Sequence, residues 1–300
     1  MTVNWRGVLP AITTPFDEAL NVDPTYLAEH ARWLIDAGCV GIVPFGSLGE
    51  GATLSTDEKL AMVRTLKRAL GDAAPVVPAV SALSTADAVA FVRDAETEGA
   101  DGFMVLPPYV YASDAREMRA HVEAVLAATE RPCMLYNNPV AYTTDFLPPL
   151  IRDLHDAHPH MNAVKESSAD LRRLAWLRAE LGDRPVALSM GVDDLALEAF
   201  TVGAEGWIAG MVNALPHESV RLFELGRAGD YEAAFELYRW FLPLLRLDIG
   251  TKFVQKIKLA QDRIGRGSER VRPPRLTLAD AERAETLAVV DAAMAERPSL

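Results

Sequence analysis

The chain has 300 residues, half of them apolar and 24% charged, with a formal net charge of −12. That composition can build a large core, and its negative balance argues against a nucleic-acid partner, because affinity for phosphates needs a basic surface. No apolar run reaches the roughly 18 residues of a membrane span, and Met1-Thr2-Val3-Asn4-Trp5-Arg6 lacks the apolar centre of a signal peptide. Cys39 and Cys133 each sit in apolar surroundings and read as reduced core residues of a cytoplasmic protein.

Along the chain, short β-rich apolar runs alternate with longer stretches of helical periodicity. The predicted strands are Gly7–Thr13, Val40–Phe45, Pro75–Val80, Gly102–Leu106, Cys133–Tyr136, Asn162–Lys165, Val186–Met190 and Gly206–Ala209. Helices are predicted near 24–37, 56–70, 85–99, 113–128, 145–156, 169–181 and 193–202. Ser55-Thr56-Asp57-Glu58 is a capping box, and Ser113-Asp114 opens another helix. Runs apolar enough to be buried on both faces, each followed by a helix, predict an α/β fold, a parallel (β/α)8 TIM barrel. A doubly wound sheet is the alternative, but Thr13-Thr14-Pro15-Phe16 follows the first strand where a GxGxxG turn belongs. Helices near 216–228, 231–245, 250–263 and 278–296 follow. Residues 1–215 are thus expected to form the barrel with its site, and 216–300 an appended C-terminal helical bundle.

In such a barrel the chemistry lies at the C-terminal ends of the strands. Lys165 ends an apolar run there, whereas the other five lysines lie in polar, helix-like stretches; Lys252, Lys256 and Lys258 read as one solvated helix face. By itself Lys165 is either a surface or carboxylate-paired lysine, or a desolvated amine able to attack a carbonyl. Tyr136 ends the preceding strand, and a phenol beside an amine is what imine chemistry uses to move protons. Gly46-Ser47-Leu48-Gly49-Glu50-Gly51 is a turn whose N–H groups suit a small carboxylate, without the Lys-Ser/Thr of a phosphate loop. His155, His158 and His160 lead into the N-terminal end of a strand, the structural side, so no metal site is expected from them.

Gly46-Ser47-Leu48-Gly49-Glu50, Tyr136-Asn137-x-Pro139, Val164-Lys165-Glu166 and Gly191-x-Asp193-Asp194 resemble, in order and spacing, the dihydrodipicolinate synthase / N-acetylneuraminate lyase family. Gly203-Ala204-Glu205-Gly206-Trp207-Ile208 with Asn213-Ala214-Leu215-Pro216 is similar to that family's eighth-strand motif. The resemblance implies class I lyases, usually homotetramers or dimers of dimers, with no metal or organic cofactor. It implies that Lys165 forms a Schiff base with a 2-oxo acid, that Tyr136 is the general acid/base and that Ser47 relays its proton. Gly46, Leu48, Asn138, Gly191, Ile208 and Tyr109 are then expected around the substrate, with the Ser47–Leu48 backbone on its carboxylate.

Three departures bear on the subtype. Members that condense pyruvate with aspartate semialdehyde carry an arginine two residues after the motif proline, where Pro139-Val140-Ala141 has none. They carry a second tyrosine where Val110 stands, with Tyr111 one residue late, and often threonine where Leu48 stands. The resemblance therefore points to a catabolic member, such as a 1-pyrroline-4-hydroxy-2-carboxylate deaminase or a 2-oxo-acid aldolase or dehydratase. The alternatives are 4-hydroxy-tetrahydrodipicolinate synthase, a metal-dependent class II aldolase on the same fold, and a non-catalytic small-acid sensor.

Overall fold

Two capping boxes start helices where the sequence asks for them. Ser55 Oγ accepts the Glu58 N–H at 3.2 Å and the Glu58 carboxylate accepts the Ser55 N–H at 2.8 Å; Asp114 and Glu117 do the same at 2.8 and 3.2 Å. Each such cap stabilises its helix by about 1 kcal/mol. The computed structural model describes residues 3–108 and 111–300, which leaves Tyr109 and Val110 outside the described residues.

The elements run β1 (Gly7–Pro10), α1 (Pro24–Asp36), α2 (Thr56–Leu70), β2 (Ala79–Val80), α3 (Thr85–Thr97), β3 (Phe103–Val105), α4 (Ala115–Leu126), β4 (Cys133–Asn137) and α5 (Pro139–Tyr142). Then come α6 (Pro148–Ala157), β5 (Met161–Glu166), α7 (Arg172–Leu181), β6 (Ala187–Met190), α8 (Ala196–Thr201) and β7 (Gly206–Ala209). Among the described residues four more α-helices follow: α9 (Pro216–Ala228), α10 (Tyr231–Leu245), α11 (Phe253–Arg263) and α12 (Asp280–Ala295). All the strand pairs are parallel, in the order β1-β7-β6-β5-β4-β3-β2. Their residues are buried almost throughout, as strands with helices on one side and a packed barrel interior on the other must be.

One expected strand, 40–45, is not a regular strand among the described residues, and 75–80 is regular only at β2. The segment still fills the gap between β1 and β2. Val40 and Val43 donate to Val8 O and Pro10 O at 3.0 and 2.9 Å, while Ile42 donates to Pro75 O at 3.0 Å and Ala79 to Pro44 O at 2.9 Å. Only isolated parallel bridges result, Ala11 to Val43 and Ile42 to Val76. Pro10, Pro44, Pro75 and Pro78 explain this: a proline has no N–H for the ladder, so pairing closes the circle without a continuous ladder.

The register aligns the site. Tyr136 on β4 pairs with Lys165 on β5, and Lys165 pairs with Ser189 on β6. Residues in register on parallel neighbours face the same side, so these three side chains share one face.

Candidate active site

Lys165 lies at the end of β5, only 7% exposed, with Nζ 4.1 Å from the centre of the Tyr136 ring. Burial pulls its pKa down to about 8, although the carboxylates of Asp248 and Asp193 pull the other way. With that value roughly a tenth of the lysine is neutral at pH 7, against well under a thousandth for an ordinary lysine. The bare amine, which is the nucleophile, is therefore available near neutrality.

The strand has room for this side chain because of Gly191. A Cβ at that position would stand 2.5 Å from Lys165 Cε and 2.1 Å from Ser167 Oγ. Behind the lysine, Glu166 accepts from Asn137 Nδ2 at 3.0 Å and from the Ser168 N–H at 2.7 Å. Asn137 also donates to Asp145, which Arg173 holds through two bonds of 2.8 and 2.9 Å. This buried polar network fixes the ends of β4 and β5 relative to each other.

Tyr136 is buried, and burial raises its phenol pKa, with the Asn138 hydrogen bond and the nearby Ser167 hydroxyl opposing. It therefore rests protonated, in the form able to donate a proton. Asn138 has two tasks: its Oδ1 caps α5 by accepting the Ala141 N–H at 3.0 Å, and its Nδ2 donates to the Tyr136 hydroxyl at 2.9 Å. The cap thus aims the phenol.

Ser47 hydrogen-bonds a residue the sequence reading passed over, the hydroxyl of Tyr142 at the end of α5. The Tyr142 ring meets the Tyr136 ring edge-on, centres 5.8 Å apart. Its position three residues after Pro139 was a readable signal, since one helical turn carries a side chain back over the strand end. Tyr109 lies outside the described residues, and Tyr111 is 53% exposed and lines a cavity with Glu117 and His121, a different one from the cavity that Ser47 lines. Leu48 and Ile208 are buried, and Gly46 closes the turn by accepting the Gly51 N–H at 3.3 Å.

Two carboxyls stand behind the lysine. Asp193 is buried and accepts from Trp207 Nε1 at 3.0 Å, from the Gly210 N–H at 3.1 Å and from the Met211 N–H at 2.7 Å. Asp248 comes from the turn between α10 and α11 and reaches Gly210, where a Cβ would stand 2.5 Å from its Oδ1. Burial pushes both carboxyls up, and for Asp248 repulsion from Asp193 adds to it. Nothing in the sequence pairs Asp248 with Lys165, which is 83 positions earlier.

The expectation that Lys258 is solvated is corrected. Its Nζ is buried, donating to Glu50 Oε1 and Thr14 O, both at 2.9 Å, and it lies 4.5 Å from the centre of the Phe16 ring. Glu50 holds a left-handed backbone at φ 54° with a fully buried side chain, so its charge must be matched inside. The helical spacing of Lys252, Lys256 and Lys258 hid this, because periodicity does not report a partner 208 positions away.

The Dihydrodipicolinate synthetase family model matches residues 4–293. The 4-hydroxy-tetrahydrodipicolinate synthase of Rhizobium meliloti (strain 1021) is 32% identical over 290 residues, 97% of each chain. Among solved structures, YagE, a prophage protein of the dihydrodipicolinic acid synthase family from E. coli K12 in complex with pyruvate, superposes with TM-score 0.90. It is 26% identical, with 97% of this chain and 99% of that chain covered. Dihydrodipicolinate synthase from Aquifex aeolicus gives TM-score 0.91 at 25% identity, covering 96% and 97%. The chain belongs to the Dihydrodipicolinate synthetase family, Schiff-base lyases on a TIM barrel that work through a lysine imine without a metal or organic cofactor.

Proposed function

We propose that the chain is a catabolic class I lyase in which Lys165 forms the imine with the keto carbon of a 2-oxo acid. The observation that carries this is the buried amine held over the face of a protonated phenol, with Ser47 and Tyr142 beside it. The Lys165 nitrogen adds to C2, and the Tyr136 phenol gives a proton to the carbinolamine oxygen, which leaves as water. A protonated C=N accepts an electron pair more readily than C=O. Cleavage of C3–C4 then sends that bond's electrons towards nitrogen while the Tyr136 phenolate takes the C4 hydroxyl proton, leaving an enamine and a released carbonyl fragment. In the eliminating variant, loss of a C3 proton forms the enamine, whose electrons expel a leaving group from C4.

In this reading Ser47 and Tyr142 carry the Tyr136 proton onward, and the Ser47 and Leu48 N–H groups hold the carboxylate next to the keto carbon. Gly46, Gly191 and Ile208 border it, and Asn138 aims the phenol; Tyr109 keeps the substrate-contact role that the resemblance implies. Residues 1–215 form the barrel, and the 216–300 region completes the site with Asp248 and Lys258. The family is typically oligomeric; we place this chain as a cytoplasmic homotetramer, which sedimentation velocity tests.

Borohydride reduction with pyruvate, followed by peptide mass mapping, tests the imine. A single adduct on Lys165 is expected, and its absence would overturn the reading in favour of a sensor. Subtype is tested by a panel of 1-pyrroline-4-hydroxy-2-carboxylate, sugar-derived 2-oxo acids, and pyruvate with aspartate semialdehyde. The names of the relatives favour a second reading, 4-hydroxy-tetrahydrodipicolinate synthase. Fastest turnover of aspartate semialdehyde selects it.

A further inference from the structure

Beside Ser47 and Tyr142 lies a cavity of about 160 Å³, lined also by Gly46, Ser81, Leu106 and Arg275. Arg275 belongs to the segment after α11 that folds back over the Gly46–Gly51 turn. Among the described residues no carboxylate lines this cavity, and Arg275 is the one charged group in its wall. Glu50 and Glu58, the carboxylates bonded to Arg272 in the same segment, are already engaged. Glu50 takes Lys258 Nζ on one oxygen at 2.9 Å and the Arg272 N–H on the other at 3.0 Å. Glu58 takes the Arg272 guanidinium through two bonds of 2.8 and 2.9 Å.

Arg275 stands 3.9 Å from Glu50 Oε2, beyond hydrogen-bond range, and its side chain is 26% exposed. The local balance is three cations (Lys258, Arg272, Arg275) against two anions (Glu50, Glu58), which leaves one positive charge in excess. A guanidinium that makes no side-chain hydrogen bond among the described residues, at the wall of a cavity that Ser47 and Tyr142 also line, is matched by a carboxylate in two-pronged geometry.

We infer that Arg275 forms an anion subsite for a second acidic group on the substrate, so that the enzyme takes 2-oxo acids with a carboxylate at their far end. This rests on the Lys165 imine reading, which assigns the first carboxylate to the Ser47–Leu48 backbone. The subsite ranks 2-oxo diacids, and reactants that bring a distal carboxylate, above monocarboxylates such as the hydroxypyrroline carboxylate.

The test compares 2-oxoglutarate with 2-oxopentanoate, which differ in a terminal carboxylate against a methyl, by borohydride trapping on Lys165 read as intact mass. Wild type is expected to reach half-maximal trapping at a 2-oxoglutarate concentration about tenfold or more below that for 2-oxopentanoate, with the gap narrowing as salt rises. Arg275→Met is expected to erase the gap and leave pyruvate trapping unchanged, and Arg275→Lys to keep part of it. No preference in wild type, or pyruvate trapping lost in step with 2-oxoglutarate in Arg275→Met, overturns the subsite. Calorimetric titration with glutarate against pentanoate, neither of which has a keto group, gives a readout independent of the imine. Glutarate binding that Arg275→Met removes supports the subsite even where trapping fails and the imine reading falls; equal binding of the two acids rejects it while trapping stands.

Discussion

Lys165 and Tyr136 face each other across adjacent parallel strands in direct register, the amine 4.1 Å from the centre of the ring. Because burial holds the lysine near pH 8, its nucleophilic form is the minority species at neutral pH. Neutral amine increases tenfold per pH unit below that value and levels off above it. The rate of pyruvate trapping should therefore rise about tenfold from pH 6 to 7 and flatten near pH 9. A flat profile across that range would show that the amine is not the titrating nucleophile.

Removing the phenol should separate binding from proton transfer. Tyr136→Phe keeps the ring beneath Lys165 and is expected to lower kcat by roughly 10²–10⁴, the usual worth of a positioned acid/base group. Tyr142→Phe leaves that phenol in place and removes the hydroxyl that bonds Ser47, so a smaller loss is expected. Steady-state kinetics on the best substrate of the panel decide the order. A larger loss in Tyr142→Phe than in Tyr136→Phe would exchange their roles.

Asp248 should tune the lysine from the helical region. Its charge favours the ammonium form, so Asp248→Asn removes part of what holds the Lys165 pKa up. The rising limb of the trapping profile should then move to lower pH. A shift to higher pH would mean that Asp248 does not act on Lys165 through its charge.

What could be read beforehand followed the reach of each signal. Strand and helix periodicity is local, so it places Tyr136 and Lys165 on consecutive strands, and parallel pairing does the rest. The prolines at 44, 75 and 78 were visible, but their effect on the ladder emerges only once the strands lie side by side. Lys258, Asp248 and Arg275 owe their roles to residues far away in sequence. A buried lysine opposite a buried glutamate looks, in one dimension, like any lysine on a helix.

That ion pair makes its own prediction. Lys258 and Glu50 are 2% and 0% exposed, and Glu50 supports the turn that carries Ser47. Lys258→Met strands a buried carboxylate and should cost about 3–5 kcal/mol of stability. Pairing it with Glu50→Gln should recover part of that loss. Urea unfolding of the two single variants and the double measures the coupling, and additive losses would reject it.

Gly191→Ala tests whether the room around the lysine is a requirement of the chemistry. The added methyl would stand 2.5 Å from Lys165 Cε and 2.1 Å from Ser167 Oγ. Ser167 can turn away about one bond, but the lysine stem is confined by Tyr136 and β6 and must leave its position above the ring. A shift of about 1 Å in a reacting group costs on the order of a hundredfold in rate, whereas one methyl at a yielding contact costs roughly 1–3 kcal/mol in stability. The variant should therefore fold with a modestly lowered unfolding midpoint and trap pyruvate far more slowly than wild type. Trapping at the wild-type rate in a folded Gly191→Ala protein would show that Lys165 reaches the keto carbon from a position other than the one beside Tyr136.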